Sequence, residues 1–230
     1  MAASVAVEDG HEQPVVHDFL QPRPLTHHCP GKKPGEAGRF LNPWKSFQMR
    51  TTWDTISTIP FMKSPVTTTP PPQVEIDWEK VRNPPVDEVQ VTWLGHAAFF
   101  VQMDDLCIVT DPALSERCSP SQWFGPKRYS PAAVLANEIP KDLAVDVVVI
   151  SHCHYDHLDH TSIVALAERG VKYWFVPLGT APWMAENTGG RGQVVELDWW
   201  QYATLPNGVR LMATPAQHFA NRSLTDRGKL

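Results

Sequence analysis

The stretch that most constrains this chain is "VVVISHCHYDHLDH", Val147 to His160. A β-branched apolar run without a polar break reads as a strand buried on both faces, which belongs inside a layered α/β fold. Directly behind it, residues 152–160 carry four of the ten histidines and two aspartates. So many ionisable groups at the end of a core strand cost too much desolvation unless something binds them. Such strand ends are also where open α/β sheets form their ligand crevices.

In an extended segment side chains alternate, so His152 and His154 project to one side and Cys153 to the other. Two imidazoles on one side can grip one metal ion. The chain must then curl toward Asp159, the expected N-cap of a helix reaching about Arg169 and stopped by Gly170. That curl brings Asp156 and His157 round to a second position. Imidazole with carboxylate suits Zn²⁺ or another divalent first-row metal. One isolated histidine lies downstream, His218 in "ATPAQHF". As a third imidazole beside His152 and His154 it gives a three-histidine site with a position open for water. Asp111 in "IVTDP" is either an acceptor that orients a ligand imidazole or a turn-former before Pro112. His96 is divided between a backbone-bonded loop residue and a wall of the site. His160 reads as solvated, and Trp199 and Trp200 as core and lip packing.

Thirteen of the 22 prolines fall before residue 91, which denies that part regular hydrogen bonding. Residues 1–85 are therefore expected to be largely irregular, with a docking island at 39–47, "RFLNPWKSF", and with His27 and His28 as a solvated pair holding no metal. Residues 86–230 form the second unit. There "VQVTWLG", "AAFFVQM" and "LCIVTDP" predict a β-meander, and "KYWFVPLG", "VVELDWWQ" and "VRLMATPAQH" further strands around two helices. The order β, β, β, β, α, β, α, β, β implies a layered α/β sheet domain. A net charge of −5 argues against a phosphate-backbone binder, so nucleic acid is not an expected partner. Four cysteines without a CxxC pair, no long apolar run and an acidic N-terminus favour a cytoplasmic location.

"SHCHYDHLD" fits the HxHxDH signature of the metallo-β-lactamase superfamily, and "TWLGHA" and "TDP" are similar to its first strands and leading Asp motif. With "RFLNPW", "SPSQWFGPKR", "WFVPLG", "ELDWW" and "TPAQHF", the chain resembles the N-acylphosphatidylethanolamine-hydrolysing phospholipase D family over residues 39–230. The resemblance implies an αββα sandwich of which this chain holds mainly the N-terminal half. It implies a zinc-dependent phosphodiesterase that releases N-acylethanolamine and phosphatidic acid from a membrane phospholipid, peripheral on membranes and often a homodimer. Carried over by motif, His152, His154 and His218 hold one Zn²⁺, and Asp156 and His157 part of the second. Asp156 also orients the attacking hydroxide, and Gln122 and Trp123 lie near the substrate mouth.

That family takes a bridging aspartate and a final histidine from farther downstream than Leu230, so the expectation is a C-terminally truncated site holding one zinc or fewer, of the two in a complete site. Two other readings stay open: a superfamily hydrolase of a small ester, thioester or lactone, and a metal-binding fragment without catalysis.

Overall fold

The computed structural model describes residues 14–18, 27–29, 39–40, 42, 44, 72–119, 121–123, 125, 127–219 and 221–222. The rest of the 39–47 island lies outside them.

The fold is mixed α/β, built on a six-stranded sheet in the order β4-β5-β6-β7-β8-β9. β4 (Gln90–Gly95), β5 (Ala98–Met103) and β6 (Leu106–Thr110) form the expected antiparallel meander. β7 (Val147–Val149), β8 (Tyr173–Pro177) and β9 (Gln193–Leu197) then run parallel to β6, joined by crossover helices. These are α2 (His160–Arg169) and α3 (Ala181–Thr188). α2 begins where sequence places it. Asp159 accepts from the Ser162 amide at 3.3 Å and its hydroxyl at 2.5 Å, and Gly170 ends the helix at φ 93°.

Strand alternation sorts the sheet into two cores. Val148, Trp174 and Val176 face α2 and α3, meeting Ile163, Leu166 and Met184. Val147, Tyr173 and Phe175 face the opposite way, toward Ala203, Leu205 and Leu211. The second core is roofed by a three-stranded antiparallel sheet, β1 (Val16–Asp18), β10 (Gln201–Thr204) and β11 (Arg210–Met212), in the order β1-β10-β11. The described layers are thus helices, sheet, sheet.

One expectation needs correction. "VVELDWWQ" is not one strand: the chain turns at Asp198–Trp200, with Trp200 at φ 69°, and hands over from β9 to β10 in the other sheet. Within residues 1–85 the described residues include three short strands and one short helix. β1 pairs with β10, β2 (His28–Cys29) pairs with β3 (Arg39–Phe40), and α1 (Trp78–Arg82) buries Val81 in the first core. Gln102 fixes α1 to the sheet by donating to the Val81 carbonyl at 2.7 Å, and Gln90 donates to that of Lys80 at 3.1 Å.

Candidate metal centre

β7, β8 and β9 are parallel, so their C-terminal ends share one sheet edge, and β7 delivers "SHCHYDH" there. His152 Nε2 lies 2.9 Å from His154 Nδ1, and His218 Nε2 lies 3.1 Å and 3.2 Å from those two atoms. The structure therefore brings the three predicted imidazoles together. A second cluster stands beside them: His96 Nε2 is 3.1 Å and His157 Nε2 3.7 Å from Asp156 Oδ2. His96, undecided from sequence, reaches it from the tip of the β4–β5 hairpin. There Gly95 at φ 109° and His96 at φ 51° take left-handed conformations that a tight turn requires.

The outer nitrogens are held by neighbours. Ser151 Oγ donates to Asp111 Oδ2 at 2.7 Å, which leaves the hydroxyl oxygen to accept from His152 Nδ1–H at 2.9 Å. The same Asp111 oxygen accepts from His157 Nδ1–H at 2.9 Å, and Asp111 Oδ1 takes the Ser151 amide at 2.7 Å. His154 Nε2–H faces Asn221 Oδ1 at 3.1 Å. Each of these bonds puts a proton on the outward nitrogen and turns a lone pair inward. Asp111 is buried and sits at φ 37°, a sparsely populated conformation for a non-glycine residue.

Burial, reinforced by the charges of His157, His154 and His218, lowers the His152 pKa from 6.5 to about 3. Burial also lowers His154, against the Asn221 hydrogen bond. His157 behaves oppositely: burial would lower it, but the Asp111 hydrogen bond and the charges of Asp111 and Asp156 hold it above its ordinary value. Burial would raise Asp156, yet the nearby histidines, His157 foremost, leave it below the usual carboxylate range. His152 and His154 are thus kept neutral, and Asp156 ionised.

The beta-lactamase superfamily domain matches residues 107–229, a span that includes every residue of this network except His96. The chain belongs to the beta-lactamase superfamily. An uncharacterised protein from Mycobacterium tuberculosis is 40% identical over 135 residues, 59% of this chain and 35% of that one. The N-acyl-phosphatidylethanolamine-hydrolyzing phospholipase D 1 of Caenorhabditis elegans is 38% identical over 143 residues, 59% of this chain and 39% of the worm protein. The chain thus spans little more than a third of the length of these relatives. The structure of Igni18, a metallo hydrolase from Ignicoccus hospitalis, overlays with a TM-score of 0.41 at 26% identity, covering 57% of this chain and 50% of Igni18.

A cavity of about 1150 Å³ opens beside the second cluster, with His96, His154 and Asp156 in its wall alongside Trp93, Arg128 and Tyr129. Gln122 and Trp123 do not line it. The Gln122 amide is spent inside its own loop, donating to the Arg117 carbonyl at 3.0 Å and accepting from the Arg117 amide at 3.1 Å, while Trp123 points into solvent at 87% exposure. Of the "SPSQWFGPKR" stretch, Lys127 and Arg128 reach the cavity instead, together with Cys118 just before it. His160 is exposed, its ring edge-on to Trp183 at 6.3 Å. Trp199 packs 4.3 Å from His27 and 5.4 Å from Trp44. Ser151 and Asn221 were missed from sequence, since neither type announces itself as a histidine partner.

Proposed function

We propose that this edge is the metal centre of a hydrolase, with His152, His154 and His218 as one ligand set and His96, Asp156 and His157 as the second. The observation that carries the reading is the imidazole triangle, whose sides are 2.9, 3.1 and 3.2 Å. A neutral ring nitrogen is either a donor or an acceptor. Among three of them two must be alike, so at least one side of the triangle is repulsive without a cation. With a cation at the centre all three lone pairs are satisfied. Zinc–nitrogen distances of about 2.0–2.1 Å in a tetrahedron require nitrogen spacings of about 3.3–3.4 Å, close to those found. Zinc is accordingly the proposed metal, and two donor sets favour two ions over the one or fewer expected from sequence.

The substrate proposed is N-acylphosphatidylethanolamine. Its support is the worm relative at 38% identity and a cavity at the upper end of small-molecule sites, roomy enough for a lipid head group. A divalent cation held by these residues would supply a water acidic enough to ionise near neutral pH and positive charge for the phosphate oxygens. Asp156, ionised and on the cavity wall, accepts the proton of the attacking water at a carboxylate oxygen. The water oxygen bonds to phosphorus, the bond from phosphorus to the ethanolamine oxygen breaks, that oxygen takes the proton held by Asp156, and phosphatidic acid and N-acylethanolamine result. Trp93 and Tyr129, both exposed and both lining the cavity, suit peripheral contact with a lipid surface. No helix among the described residues is long and apolar enough to cross a membrane.

The test is release of N-acylethanolamine from mixed micelles by the zinc-loaded chain, with His154→Ala as control. Turnover lost together with metal in His154→Ala supports the reading. Bound metal without release, but with hydrolysis of a soluble ester or thioester, would replace the substrate.

A further inference from the structure

The proline-rich segment reaches the same sheet edge. Asp198 follows the end of β9, and both histidines once expected to be solvated close on it: His27 Nε2 at 2.7 Å from Oδ1, His28 Nε2 at 2.7 Å from Oδ2. His27 is only 6% exposed, stacked on Trp199 at 4.3 Å, while Phe40 lies edge-on to His28 at 5.1 Å. Burial would raise the Asp198 carboxyl, but hydrogen bonds from His27, the Trp199 amide and His28 hold it below its ordinary range. Three donor groups in this space invite the idea of another metal ion. The geometry speaks against one. Each Nε2 has an Asp198 oxygen to itself at 2.7 Å, an ion-paired arrangement complete without a metal, whereas in the second cluster His96 and His157 share one Asp156 oxygen at 3.1 and 3.7 Å. The role of this clasp is to fix a segment about 170 residues away in sequence to the end of β9.

The same segment then reaches the metal centre. Asn42 Nδ2 donates to the backbone carbonyl of His218 at 3.2 Å. His218 needs such support, because no helix or strand holds it: beyond β11 the described residues to Arg222 are irregular. A ligand on irregular chain pays conformational entropy each time it is brought into place, and anchoring its backbone lowers that cost. On its other side the loop is tied down by Arg222, which donates to the carbonyls of Cys153 and Leu158 at 2.8 Å and 2.7 Å.

We propose that the segment containing His27, His28 and Asn42 is a strap that completes the metal centre. The clasp on Asp198 anchors it, and Asn42 is a positioning residue that presents His218 to the metal. This rests on the metal-centre reading above and adds to it a part of the chain outside the matched family region.

The test is Co²⁺ binding to the full chain, read by affinity and by the ligand-field absorption that reports histidine geometry. Asn42→Asp keeps size but sets an oxygen against the His218 carbonyl; it should weaken Co²⁺ binding about tenfold or more and alter the spectrum. His27→Ala with His28→Ala should do the same without touching the loop. Asn207→Asp breaks a similar side-chain bond to a carbonyl, that of Asp104 at 2.9 Å, far from the site, and should change neither readout. Should the double variant fail to fold, Asn42→Asp decides alone. Unchanged affinity and spectrum in folded Asn42→Asp would overturn the strap while leaving the metal centre standing. Absence of Co²⁺ binding in the unaltered chain would overturn both.

Discussion

Asp111→Asn is the substitution whose consequence the hydrogen bonds specify most closely. It keeps the shape of a buried side chain, so it opens no cavity, and it acts only through one oxygen becoming an amide. Oδ1 takes the Ser151 amide; Oδ2 takes the Ser151 hydroxyl and His157 Nδ1–H. With asparagine, its remaining oxygen can stay on the Ser151 amide, and its NH₂ then faces His157 Nδ1. That nitrogen can meet a donor only by giving up its proton to Nε2, the atom turned toward Asp156 at 3.7 Å. The Ser151 hydroxyl is released as well, and with it the partner that fixes His152 Nδ1. One charge-assisted hydrogen bond is worth about 1.5–3 kcal/mol. Loss of a partner that orients a ligand imidazole typically costs about 10–100-fold in metal affinity. The expected result is thus a loss of about one to two powers of ten in zinc affinity, read by competition with a chromophoric chelator, in a chain whose circular dichroism is unchanged. The His157 pKa, followed by NMR in metal-free protein, should fall, because burial still disfavours its charged form and the Asp111 hydrogen bond and charge that offset burial are gone. Zinc affinity equal to that of the unaltered chain would refute the role given to Asp111.

Other expectations follow from the same coordinates. In metal-free protein His152 should stay neutral at pH 5 by NMR; its folded pKa lies below the unfolded one, so its stabilising contribution is full above about pH 6.5 and lost as pH falls toward 3. A His152 titrating near 6.5 would contradict this. Trp174→Ala empties the largest fully buried side chain of the first core and removes its bond to the Arg191 carbonyl, so urea unfolding should show a loss of about 3–5 kcal/mol. Gly192→Ala places a Cβ against the Val171 carbonyl and the Trp174 ring at φ 72°; a loss of at least about 1–3 kcal/mol is expected by the same assay, and a neutral result would mean the turn relaxes.

What was legible in the sequence is what short-range chemistry writes. The β-branched run gave β7, Asp159 and Gly170 gave both ends of α2, and HxHxDH with one downstream histidine named residues that the structure clusters. The remainder depends on partners far apart in the chain. His27 and His28 looked solvated because they lie in a proline-rich stretch, yet Phe40 and Trp199 cover them and Asp198, 171 residues from His27, holds them. Ser151 is an ordinary serine until Asp111, 40 residues earlier, accepts its hydroxyl hydrogen bond. His96 acquires a role only when the β4–β5 hairpin folds its tip against Asp156. The Pro density that predicted irregularity also hid β1, whose pairing with β10 supplies the hydrogen bonds that local sequence could not.

The most direct test of the metal centre is zinc K-edge X-ray absorption on the full chain loaded with one equivalent of zinc. Three imidazole nitrogens at about 2.0–2.1 Å are predicted, falling to two, with weaker binding, in His218→Ala. A first shell containing sulfur, or one that His218→Ala leaves unchanged, would contradict the account.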